Sequence, residues 1–179
     1  MVTQQVKIPL DRIGVLIGQK GIVKEELEKK SGSNIRVDST EGEVSIESSE
    51  AGDPLKALRV AEAIKAIGRG FSPENAVALL DDDHLLFDVI SLARLSPKTL
   101  NRVKGRVIGR NGQTRRAIED LAGVKISVFG KTVSLLGQSH QIQTAREAIT
   151  MLIQGAPHSA VYSFLERKQS AAEEEQEKW

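Results

Sequence analysis

Cysteine is absent from the 179 residues, which excludes disulfide frameworks, thiolate zinc sites and cysteine nucleophiles and fits a reducing compartment. Nor does any apolar run approach the about 18 residues that a membrane-spanning helix needs. The opening Met1-Val2-Thr3-Gln4-Gln5 has neither the basic region nor the apolar core of a secretory signal. A cytoplasmic protein is expected. Net charge is only +1, so attraction by the whole chain names no partner, and any electrostatic argument must come from how the charges are distributed. Aromatic residues are scarce at 3%, too few for a sheet that stacks nucleic-acid bases on a row of rings. The apolar fraction of 40% is nevertheless enough for packed cores, and the length suits one or two small domains.

What is present is a repeat. Gly105-Arg106-Val107-Ile108-Gly109-Arg110-Asn111-Gly112 restates, 91 positions on, Gly14-Val15-Leu16-Ile17-Gly18-Gln19-Lys20-Gly21. Three glycines and an apolar pair keep their spacing in both copies. Each copy reads as an apolar helical turn running into Gly-x-x-Gly, where the missing Cβ allows a tight bend and the close approach of another backbone. A helix that starts after the bend directs its unpaired N–H groups, and the positive end of its dipole, into it. That arrangement is a seat for a phosphate.

Around the first copy the elements are legible in order. Val6-Lys7-Ile8 alternates and stops at Pro9, as a strand does where proline cannot donate to the ladder. Residues 11–17 place Ile13, Leu16 and Ile17 at helical spacing. From Ile22 an amphipathic helix carries Val23 and Leu27 on one side, and Lys29, Lys30 and Gly32 close it. Ile35 and Val37, then Val44 and Ile46, alternate across a turn at Ser39–Gly42 and predict a hairpin. Asp53-Pro54 opens a third helix whose apolar stripe is read as Leu55, Leu58, Ala61, Ile64 and Ala66. A further helix follows Ser72-Pro73 through Ala76, Val77, Leu79 and Leu80. Asp81-Asp82-Asp83-His84 is read as a solvated connector, because three adjacent acids do not face one way on a helix.

The second copy repeats the plan. Leu85–Ile90 is its first strand, Ser96-Pro97 opens a helix to Ile108, and Gln113–Leu121 follows the loop and closes at Gly123. Val124, Ile126 and Val128 make a strand, Val133-Ser134-Leu135 the next, and Gln143–Ile153 the long helix, with another trailing helix over Gly155–Leu165. The expected division is residues 1–84, residues 85–169, and a glutamate-rich tail at 170–179 that is frayed or disordered. The apolar sets of the two trailing helices, Ala76, Val77, Leu79, Leu80 and Val161, Phe164, Leu165, are expected to join the halves into an intramolecular pseudo-dimer within a monomer.

Gly18-Gln19-Lys20-Gly21 and Gly109-Arg110-Asn111-Gly112, each in the order β-α-α-β-β-α, resemble the GXXG loops of type I KH domains. A lone Gly-x-x-Gly is weak evidence, and two such bends could be ordinary helix-turn-helix corners, but recurrence at one position of the same six-element order is specific. The resemblance covers nearly the whole chain except the tail. It implies an α+β fold of two tandem KH domains, each a three-stranded sheet with helices on one face plus an extra trailing helix. It also implies that each loop clamps the backbone of about four nucleotides of single strand while a neighbouring apolar groove takes the bases. The groove would be floored by Leu16, Ile17 and Ile35 in the first unit and by Val107, Ile108 and Ile126 in the second, residues that also serve the core. The outward pair of each loop, with Lys20 and Arg110, would meet phosphate.

Charge separates the copies. Lys98, Arg102, Lys104, Arg106, Arg110, Arg115 and Arg116 crowd the second loop with no acid among them, whereas Asp11, Glu25, Glu26 and Glu28 offset Arg12, Lys20, Lys24, Lys29 and Lys30 around the first. Although charge runs are usually only solvated, one-signed charge around a phosphate seat is the footprint expected of RNA binding, and the second unit is taken as the principal binder. The glycine spacing gives neither G-x-G-x-x-G after a strand nor a P-loop, and the scattered His84, His140 and His158 suggest no catalytic constellation. No enzyme, cofactor or metal is expected.

The stretch Lys104–Arg116 further resembles archaeal two-KH proteins related to the eukaryotic small-subunit assembly factor that partners the pre-ribosomal endonuclease. That likeness implies binding near the 3′ end of small-subunit rRNA and contact with that nuclease. Eukaryotic members have a degenerate first loop, whereas this one is intact, which leaves open whether the first unit binds RNA or docks protein. Two other readings stay in view: a general binder of single-stranded RNA, and a docking scaffold that keeps the fold without using its loops.

Overall fold

In the computed structural model, which describes residues 1–179, the chain divides into two compact units between Phe87 and Asp88. The first is built on β1 (Val2–Lys7), β2 (Asn34–Asp38) and β3 (Glu43–Ser48), antiparallel in the order β1-β3-β2. The register sets Val6 and Val37 opposite Val44, and Ile35 opposite Ile46. With a side-chain period of two, this puts the apolar residues on one face, where Val6, Ile35, Val44 and Ile46 are buried. Helices α1 (Ile13–Ile17), α2 (Ile22–Ser31) and α3 (Pro54–Gly68) supply the rest of the core through Leu16, Leu27, Val60 and Ile64. β1 is longer than the sequence suggests. Its polar Thr3, Gln4 and Gln5 have no apolar alternation to betray a strand, and they are held by backbone pairing with Ser45–Glu47.

The start of α3 is as expected, since the Asp53 carboxylate accepts from the Leu55 N–H at 2.9 Å and Pro54 takes the first helical position. Its buried face is as expected only in part: Ala61, Ile64 and Ala66 are buried, but Leu55 and Leu58 are 48% and 58% exposed, and Ala57, Val60 and Ile67 complete the core. Small residues on that line bring α3 close: a Cβ on Gly68 would lie 2.7 Å from Ile8 Cγ2. Beyond α3, α4 (Pro73–Asp81) is capped by Ser72 and packs on α3 and α2. The acid run that follows has exposed side chains, and its backbone is tied down by the buried Arg59, which donates to the carbonyls of Asp83 and Leu85.

The second unit repeats the sheet with β4 (Leu86–Ser91), β5 (Lys125–Phe129) and β6 (Thr132–Gly137) in the order β4-β6-β5, Ile126 facing Leu135 and Val128 facing Val133. Its helices are α5 (Pro97–Ile108), α6 (Gln113–Ala122), α7 (Ser139–Ile153) and α8 (His158–Glu177). Val103, Val107, Ile118, Leu135, Ile149 and Leu152 centre the core. α7 begins four residues earlier than its apolar pattern because Gln138 and Gln141 form a reciprocal capping box, with the Gln138 N–H donating to Gln141 Oε1 at 2.9 Å.

Ala76, Val77 and Leu79 are buried on α4, which packs on α3 and α2, and Val161 and Leu165 belong to the core of the second unit, with Phe164 packed against it. The tail from 170 continues α8 as helix to Glu177, with every residue from Glu166 exposed. Ala171, Ala172 and the glutamates that follow are strong helix formers, and extending an established helix fixes one residue per hydrogen bond without a new nucleus.

Candidate nucleic-acid interface

Both Gly-x-x-Gly segments adopt one backbone. Gly18 and Gly109 have φ/ψ of 75/174° and 72/175°, Lys20 and Asn111 of 56/27° and 55/29°, and Gly21 and Gly112 of 76/14° and 74/13°. The Gly21 N–H donates to Gly18 O, and the Gly112 N–H to Gly109 O, both at 3.2 Å. The first glycine is required twice over. Its φ is left-handed, and a Cβ would lie 2.5 Å from Val23 Cγ2 at Gly18 or 2.1 Å from Thr114 Oγ1 at Gly109. The last glycine has the left-handed φ but nothing within 4 Å of a Cβ, so its Cβ side is open to an incoming group. No side chain caps α2 or α6 at Gly21 or Gly112, which leaves the positive end of each helix without an internal acceptor.

Of the expected cations, Arg110 is exposed and Lys104 half-buried, and neither has an ion-pair or hydrogen-bond partner. Arg116 donates to Asn111 O at 2.9 Å, bracing the loop from the first turn of α6. Arg115 Nε lies 3.5 Å from Glu119 Oε1, while Glu119 Oε2 accepts from the Ile126 N–H at 3.2 Å. Lys24, Glu28 and the Ile35 N–H form the same chain in the first unit, at 3.3 and 2.9 Å. In both units, therefore, a glutamate fixes the first residues of the strand beside the loop.

Arg106 must be removed from the phosphate-facing set. Its Nε donates to Leu152 O at 3.1 Å and its guanidinium also donates to Ala156 O, so it closes the carbonyl end of α7. Arg12 does the same for α3, donating to Ile67 O and Phe71 O, both at 2.8 Å. The two arginines are not at matching repeat positions, so one structural need is met from two places in the sequence.

The groove residues separate by burial. Leu16, Ile35, Val107 and Ile126 are buried, and only Ile17 and Ile108 keep partial exposure beside the loops. In the first loop Gln19 and Lys20 are exposed. One support was invisible in the sequence because it joins distant residues: His158 Nε2 lies 3.1 Å from Arg106 O, and the Tyr162 hydroxyl donates to Thr114 Oγ1 at 3.3 Å. The first two turns of α8 thus brace the second loop on both sides.

Residues 3–67 match the KH domain family, and residues 86–170 match the eukaryotic-type KH domain, type I. The KH domain-containing protein MJ0443 of Methanocaldococcus jannaschii is 44% identical over 165 residues, covering 90% of this chain and 72% of that protein. The chain belongs to the two-KH-domain family of Dim2 and PNO1 proteins. The pre-rRNA-processing protein PNO1 of Chaetomium thermophilum is 35% identical over 136 residues, 73% of this chain, which spans about half the length of that relative (52%). Among solved structures of the family, the a/eIF2alpha–aDim2p–rRNA complex from Pyrococcus horikoshii matches with a TM-score of 0.89 at 45% identity, covering 95% of each chain. The family's type I KH fold is the α+β architecture expected from the repeat, two three-stranded sheets each with its helices and a trailing helix.

Proposed function

We propose that this Dim2/PNO1-family chain is a non-enzymatic assembly factor of the small ribosomal subunit that clamps single-stranded rRNA near its 3′ end, with Gly109–Gly112 as the principal clamp. The observation that carries the reading is the second loop itself. It combines an open glycine face, an uncapped helix start and unpaired Arg110 and Lys104, with no acid between Asp88 and Glu119. The processing role named for a fungal relative and the rRNA in a Dim2p complex support the choice of RNA. Phosphates are to be held by the loop amides with Arg110 and Lys104, while bases meet Ile108, backed by the buried Val107 and Ile126. In the first unit Gln19, Lys20 and Ile17 are placed alike, but Glu25 and Glu26 dilute the local field. Contact with the endonuclease that matures the same rRNA, in the cytoplasm and as a monomer, belongs to this proposal.

The test is fluorescence anisotropy on a short strand from the 3′ end of small-subunit rRNA. Arg110→Asp with Asn111→Asp should keep the fold, since surface changes usually cost under about 0.5 kcal/mol, and should lose binding by removing a cation and placing two anions at the phosphate seat. Gln19→Asp with Lys20→Asp should lose less. If the first-loop variant is the more damaged, or neither loses affinity while both keep their circular dichroism, the second loop is not the main clamp. Recovery of mostly messenger RNA after crosslinking in cells would count against the ribosomal role.

A further inference from the structure

We infer that α5 and the turn before it carry a second RNA-contacting surface outside the loop: a phosphate track of Arg94, Lys98 and Arg102 that takes the nucleotides flanking the clamped ones. This inference rests on the RNA-binding reading above.

Basic residues recur every four positions at Arg94, Lys98, Arg102, Arg106 and Arg110. Arg106 is engaged with the end of α7 and Arg110 stands on the loop. The remaining three are exposed and without any carboxylate or hydrogen-bond partner. Elsewhere in this unit basic side chains do find partners, as when Arg146 meets Asp88 at 2.7 Å. At 100° per residue, Lys98, Asn101, Arg102 and Gly105 lie on the side of α5 opposite the buried Leu100, Val103 and Val107. The stripe is therefore a fully solvent-facing line that leads from the start of α5 to the loop, about 18 Å for the twelve steps from Lys98 to Arg110.

Stability does not account for this line. Lys98 sits in the first turn of α5, where the helix dipole favours acids, and that turn contains none. Gly105 is interior to the helix and exposed, with nothing within 4 Å of a Cβ, so neither a turn nor internal packing requires a residue that weakens helices. Its effect is to keep the surface low between Arg102 and Gly109. A row of unpaired cations that leads to a phosphate seat fits the continuous negative backbone of a single strand. The first unit lacks the row: α1 is only five residues long and Asp11 stands before it.

The test compares two single-stranded probes with a common core, one of about 4 nucleotides, the length a KH loop clamps, and one extended on both sides to about 12. Both are measured on the full chain carrying Gln19→Asp and Lys20→Asp, so that the first loop does not take the added nucleotides. Adding Lys98→Gln and Arg102→Gln should weaken the long probe about tenfold near 0.1 M salt and flatten its salt dependence by about 1.4 in log–log slope, the release of two counterions from a single strand. The short probe should change less than about twofold, and Lys98→Arg with Arg102→Lys should restore the long-probe affinity. Equal losses for both probes would overturn the track, because the stripe would then act only as a general field. Unchanged affinity for both, with Arg110→Asp/Asn111→Asp still defective, would also overturn it and leave the stripe to a protein partner while RNA binding stands. If the chain without these changes binds neither probe, the RNA-binding reading itself fails, and the track with it.

Discussion

The two glycines of the second loop look interchangeable in sequence, yet they do different work. At Gly112 a Cβ meets only the cost of a left-handed φ of 74°, about 1–2 kcal/mol for an L residue. At Gly109 a ψ of 175° puts the backbone in a region almost confined to glycine, and a Cβ would also lie 2.1 Å from Thr114 Oγ1 on a buried side chain that receives the Tyr162 hydroxyl. Gly112→Ala should therefore lower the unfolding free energy by about 1–2 kcal/mol, and Gly109→Ala by clearly more. Urea denaturation of the full chain measures both, and equal losses would mean that φ alone decides. The same reasoning separates Lys20 from Asn111, which hold one backbone geometry near φ 55°. Asparagine tolerates that region better than lysine, so Lys20→Asn should raise the midpoint of thermal unfolding by a degree or more, in keeping with a gain of some tenths of a kcal/mol.

Among the elements, the helix ends decide what the side chains near the loops can do. Arg106 points its fork at the carbonyls of Leu152, in the last turn of α7, and of Ala156, just beyond it, and hydrogen bonds to a charged group contribute about 1.5–3 kcal/mol. Arg106→Ala should cost about that much stability, and Arg106→Lys should recover little of it, because a single ammonium cannot reproduce a planar two-pronged donor. Chemical denaturation reads both. At the end of α2, Lys30 Nζ lies 2.6 Å from Asp81 Oδ1 on α4. This hydrogen bond, aided by the charges of Asp81 and Glu26, raises the lysine pKa above its usual 10.5. A folded-state pKa above the unfolded one means that the link contributes fully below about pH 10 and is lost as pH climbs through the raised value. Melting curves of the protein and of Lys30→Met should stay apart by a constant interval from pH 7 to about 10 and converge above it.

These elements also show what a sequence can and cannot disclose. The central helices and hairpins were legible because period-two and period-3.6 patterns end at real caps, as at Asp53-Pro54, Gly32 and Gly123. β1 was shortened because its first residues are polar and owe their conformation to the ladder with β3. On α3 the size of Leu55 and Leu58 draws the expected stripe off the packed side in the first turns, where Ala57 and Val60 are buried, while Ala61, Ile64 and Ala66 lie on it. The loops themselves could be placed to the residue, since glycine spacing is local. Arg106 could not be told from Arg110, because its partners lie 46 and 50 positions away.

In the whole molecule, a net charge of +1 conceals a strong segregation. Residues 89–118 carry eight arginines and lysines and no acid, whereas residues 170–179 carry four glutamates against one lysine. That last stretch continues α8 with every side chain exposed, so it contributes little to the core of its unit. Ending the chain at Gln169 removes a net three negative charges and takes the molecule from +1 to +4. Because the lost residues are all exposed and none belongs to the buried core, the midpoint of thermal unfolding should move by no more than about 2 °C. Encounter with RNA depends on the field of the whole surface, which the tail opposes, and that field is screened over about 10 Å at 0.1 M salt and about 30 Å at 0.01 M. The shortened chain should accordingly bind single-stranded RNA several-fold faster at about 0.01–0.05 M salt, with an unchanged dissociation rate, and the advantage should vanish well above 0.1 M. Stopped-flow association and dissociation across a salt series separate these quantities. A slower dissociation that persists at high salt would mean instead that the tail occupies the RNA surface directly.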